Sequence, residues 1–161
     1  MRTLIKLSLI LLIILGYQDI KAQTKDEVQV VQGIWGMQKR DIVMQYMHFS
    51  DSESVKFAPI YDAYSDEYKK LGAERIQIIG DYANSYNAMT NEKADNLIQR
   101  LLKNNEAIDK LQLKYYNKIK KELSAIRGGQ FMQLELYMQT MIRAEIQSNI
   151  PLIGEVEKTE K

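Results

Sequence analysis

Apolar residues recur along most of this chain at alternating three- and four-residue steps, the spacing of one helical face. The clearest run is Phe57, Tyr61, Tyr64, Tyr68, Leu71, Ile78 and Tyr82, broken by Arg75. A second is Leu97, Leu101, Ile108, Leu111, Tyr115 and Ile119, with Asn104 or Asn105 at one step. A polar residue at such a step fixes register at some cost in stability. Two further stripes are Val28, Val31, Trp35 and Ile42, then Phe131, Leu134, Met138, Met141 and Ile142. These patterns predict helices over about Lys25–Met47, Asp51–Asn87, Asn91–Leu123 and Gly128–Asn149. Ile150-Pro151 stops the last, because a residue before proline is pushed out of the helical region. Pro59 lies early in the second helix, where a missing N–H matters least.

The connection Ala88–Asn91 is too short for anything but a fold-back, so the second and third helices form a hairpin. Each is roughly 50 Å long at 1.5 Å per residue. The expected fold is all-α: an elongated four-helix arrangement built on a long antiparallel hairpin. Glycine (8) and proline (2) are scarce, which agrees with it.

Three junctions carry helix-start chemistry: Phe49-Ser50-Asp51-Ser52-Glu53, Met89-Thr90-Asn91-Glu92-Lys93 and Leu123-Ser124-Ala125-Ile126-Arg127. In each, a hydroxyl accepts from an N–H of the first turn and the apolar residue before it staples to the core. Ser50 with Glu53 makes a capping box; Thr90 and Ser124 are simple caps.

The N-terminus has the order of a secretory signal: basic Arg2 and Lys6, apolar Leu7 to Leu15, then Ile20-Lys21-Ala22 ahead of Gln23. The expected domains are a signal peptide over 1–22, a helical domain over 23–150 and a disordered tail over 151–161. The expected location is the periplasm. Removing 1–22 takes Arg2, Lys6 and Lys21 against Asp19, leaving a near-neutral chain without the basic excess of a nucleic-acid binder. Weak basicity also argues against docking of an amphipathic helix on a membrane surface. There is no cysteine, so disulfides are excluded and helix packing alone must supply stability.

The repeated cap motif resembles the Leu-Thr-x-x-Gln signature of the Spy/CpxP family of periplasmic helical proteins. Phe57-Ala58-Pro59-Ile60-Tyr61-Asp62-Ala63-Tyr64 is similar to the Phe-x-Pro-Ile-Tyr-x-x-Tyr run of its relatives among the Bacteroidetes. The resemblance covers about residues 45–150. Glu53, Lys93 and Arg127 stand where glutamine would be, and Phe49 and Met89 replace the first leucine. The resemblance implies a helical homodimer acting without ATP on unfolded clients, or a modulator of an envelope-stress sensor. A dedicated partner of a membrane-bound sensor is the alternative.

No set of residues predicts catalysis, a cofactor or a metal. His48, Ser50 and Asp51 are near neighbours at a helix end rather than a converging triad. Asp62, Asp66 and Glu67 lie within a turn of one another but lack an EF-hand loop, and one histidine without cysteine makes no transition-metal set. Gly128-Gly129 is a helix junction, not a phosphate loop. What remains is surface: tyrosines (10) and methionines (8) suit adaptable protein contacts. Residues off the main seams, Trp35, Ile76, Ile79, Met132 and Tyr137, are the expected partner surface for unfolded or membrane-associated proteins.

Overall fold

The computed structural model describes residues 38–148 and 150–153. The expected signal segment 1–22, the start of the first helix with Trp35, and residues 154–161 lie outside the described residues. The described helices are α1 (38–47), α2 (Asp51–Ser85), α3 (Asn91–Glu122) and α4 (Ala125–Ser148). A 3-10 turn, Tyr86–Ala88, closes α2. Among the described residues there is no strand, and the all-α hairpin fold expected from the pattern is present.

The α2–α3 hairpin is antiparallel. Tyr64 packs edge-on to Tyr115 at 5.4 Å, and Arg100 reaches back to Glu74 and Asp81. Between these layers Arg75 Nη1 donates to Oδ1 of Asn104 and of Asn105, while Asn104 Nδ2 donates to the Leu71 carbonyl. The polar interruptions of the two seams therefore face each other.

α4 runs parallel to α2, with Phe131 packed against Phe57, Tyr61 and Tyr64 at 5.4–5.9 Å. No Cα of α2 lies within 8 Å of a Cα of α4. Ring side chains and α1 fill the space between them. Val43 and Met47 of α1 join Phe57, Tyr61, Tyr64 and Phe131 in one core cluster.

Four differences from the sequence pattern have physical causes. First, α4 starts at Ala125 rather than Gly128. Ser124 caps it, and the glycine pair sits inside. Gly128 is used for close approach, since a Cβ there would meet the Tyr116 ring at 3.0 Å. Second, the inward stripe of α1 is Lys39, Val43 and Met47, one position off the expected Ile42, which is 47% exposed. Third, α4 turns Glu135 inward, fully buried, and leaves Met141 55% exposed. Fourth, Pro151 and Leu152, expected in the tail, hold a set path. Their carbonyls accept from the Tyr82 and Tyr86 hydroxyls.

Candidate partner-binding surface

The helix starts fix which faces remain outside. Ser50 Oγ accepts from Glu53 N–H, and Glu53 Oε2 accepts from Ser50 N–H at 3.0 Å, the reciprocal bonds of a capping box. Thr90 Oγ1 accepts from Lys93 N–H and Ser124 Oγ from Arg127 N–H. The residues standing in the glutamine positions have work of their own. Arg127 binds Glu53 through Nε and Nη2 at 2.8 and 2.9 Å and donates to the Met47 carbonyl through Nη1. Lys93 donates to the Ala88 carbonyl. The Arg127 guanidinium holds the Glu53 carboxyl at about 2, well below its ordinary value.

Asp62, Asp66 and Glu67 of α2 are engaged by separate cations. Asp62 pairs with Arg40, Asp66 with Lys69, and Glu67 with Lys114 and the Tyr115 hydroxyl. Lys114 and that hydroxyl lower the Glu67 pKa. No group of three or more potential metal ligands occurs among the described residues. His48 is exposed at the end of α1, and its φ of 45° places it in the left-handed region that histidine tolerates better than most residues. The Ser50 hydroxyl beside it is engaged in the cap.

The tyrosines are more deeply engaged than a ring-in, hydroxyl-out arrangement. Tyr61, Tyr64 and Tyr115 are buried to within 1%. The Tyr64 hydroxyl donates to Glu135 Oε1 at 2.7 Å, and burial followed by that carboxylate's charge raises its pKa. The Tyr68 pKa is pushed up to about 12 by burial. Glu135 Oε1 also accepts from Lys39 Nζ at 2.7 Å and from Gln139 Nε2 at 2.8 Å, whereas Oε2 is buried without a protein partner. Nothing local in the sequence marks this buried polar cluster, because a glutamate in a helix reads as solvent-facing. Only register does: Phe131, Glu135, Met138 and Ile142 continue one seam, with the acid at a core step.

The expected surface residues are distributed rather than gathered. Ile76 is 44% exposed and Tyr137 63% exposed. Ile79 is half-buried, and Met132 packs against the core. The contacts of α4 with α2 put Tyr137 about nine residues below Ile76 in level, roughly 13 Å along the axis. The structure adds exposed apolar pairs one helical turn apart: Ile42 with Tyr46, Ile98 with Leu102, and Tyr137 with Met141. Residues four apart share a helix face, so each pair forms a short apolar strip. No described helix is long and apolar enough to cross a membrane. Comparison of the chain with protein-family models, with curated proteins and with solved structures found no match.

Proposed function

We propose that this is an exported helical protein-binding protein that engages apolar segments of other proteins without ATP, as a chaperone-like factor or envelope-stress adaptor. The observation that supports it is the set of exposed one-turn apolar pairs on α1, α3 and α4: Ile42/Tyr46, Ile98/Leu102 and Tyr137/Met141. Aromatic and thioether side chains give large contact area and adapt to varied shapes. The cap motifs and the Phe57–Tyr64 run, similar to those of the Spy/CpxP family, point the same way.

The test is aggregation of an unfolding protein, followed by light scattering, without nucleotide. The expected result is suppression at near-stoichiometric amounts, weakened by Tyr137→Ser with Met141→Ser. A folded protein that suppresses nothing overturns the chaperone reading. Envelope crosslinking that captures a single membrane protein replaces it with the dedicated-sensor alternative.

A further inference from the structure

We propose that the groove between α2 and α4 is a binding site for a partner's helical segment, held closed here by α1 acting as a displaceable strap. The partner segment carries a basic residue followed by aliphatic residues four and eight positions later. The inference rests on the protein-binding reading and names where and what the protein would bind.

The template is α1 itself. Lys39, Val43 and Met47 occupy i, i+4 and i+8 of one face and are 7%, 0% and 2% exposed. Val43 and Met47 pack into the ring cluster of Phe57, Tyr61, Tyr64 and Phe131. Lys39 Nζ reaches the buried Glu135 carboxylate and lies 4.7 Å from the centroid of the Tyr68 ring. A fully buried acid with an orphan oxygen at the end of an aromatic groove selects for a cation at one end of the incoming helix. An uncharged segment would leave it uncompensated, so the groove discriminates by charge as well as shape.

The same contacts make α1 removable. α1 is held in the groove by the side-chain contacts of its inward face, which an incoming segment with the same three residue types reproduces. Its attachment to α2 is the short link 48–50, which contains the left-handed His48. Its outer face carries exposed Ile42 and Tyr46. An incoming segment must wait for the strap to open, so apparent affinity falls by the open fraction.

The probe is a labelled alanine–glutamine helical peptide carrying lysine, valine and methionine at i, i+4 and i+8, titrated into the full chain by fluorescence anisotropy. Val43→Asp unseats the strap and leaves the groove residues intact. Expected is binding at least about ten-fold tighter to Val43→Asp than to the unaltered chain, lost when the peptide's lysine is replaced by glutamate. Equal binding to both folded proteins overturns the proposal. So does an exchanged dimer, seen by light scattering, which would assign the groove to a second copy.

Hydrogen exchange on the unaltered chain tests the strap even if Val43→Asp does not fold. α1 amides should exchange faster than those around Tyr64 and Tyr115; equal protection overturns the strap. Peptide binding without aggregation suppression keeps the groove and removes the chaperone reading. Suppression without peptide binding does the reverse.

Discussion

Arg127 clamps Glu53 with two parallel hydrogen bonds of 2.8 and 2.9 Å, tying the first turn of α4 to the first turn of α2. Paired charges of this fork geometry hold direction as well as position. The same arginine donates to the last turn of α1 through the Met47 carbonyl, so three helices meet at one side chain.

That clamp gives the fold an acid edge. Glu53 is depressed to about 2 and Glu67 is also lowered, so the folded state favours both carboxylates in ionised form. A depressed folded pKa contributes stability that is complete above the unfolded value and lost as pH falls toward the folded one. Urea midpoints should therefore decline from about pH 5 down to about pH 2. Arg127→Met should flatten that decline, and an unchanged slope would show that the clamp does not govern it.

The adjacent glycines of α4 should respond oppositely to alanine. A Cβ at Gly129 meets nothing within 4 Å, so Gly129→Ala should raise stability by about 0.5–1 kcal/mol through helix propensity. A Cβ at Gly128 meets Tyr116 at 3.0 and 3.1 Å, and crowding there should outweigh the same gain and lower stability by about 1 kcal/mol. Paired denaturant titrations read both; equal effects would refute the close approach.

Breaking the buried pair on one side should be costly. Lys39→Met leaves Glu135 in the core with only the Tyr64 and Gln139 donors, at an expected loss of about 3 kcal/mol. Adding Glu135→Leu should recover most of it. A double-mutant cycle showing plain additivity would mean that the two charges are not coupled.

Completing the apolar seam of α3 should not stabilise it. Asn104→Leu removes one acceptor of the Arg75 guanidinium and the donor to the Leu71 carbonyl, for an expected loss of about 1–3 kcal/mol. A more stable variant would show that the Arg75 layer contributes register alone.

How much of this was legible in the residues follows from how each element is specified. α2 and α3 declare themselves, because long three-and-four spacing with Ser50 and Thr90 at the starts leaves no competing structure. Arg75 and Asn104 were visible as separate breaks, yet nothing local says that they meet. α1 was misphased by one position because aliphatic Ile42 outranks Lys39 on any hydrophobicity scale. Only Glu135, 96 residues away, explains the inward lysine. The start of α4 was hidden by two glycines whose use is contact with Tyr116, not termination. Exclusion from the seams finds exposure for Ile76 and Tyr137 but has no means of grouping them.

The hydroxyls of Tyr82 and Tyr86 grip main-chain oxygens of Pro151 and Leu152 and tie that segment to the end of α2. A chain without cysteine accepts one engineered thiol without ambiguity. A dye at Ile153 would report from the bend end of α2, and one at Val55 from its capped end, roughly 45 Å away. The molecule thus carries its own pair of separable reporting stations, one beside the strap and one remote from it.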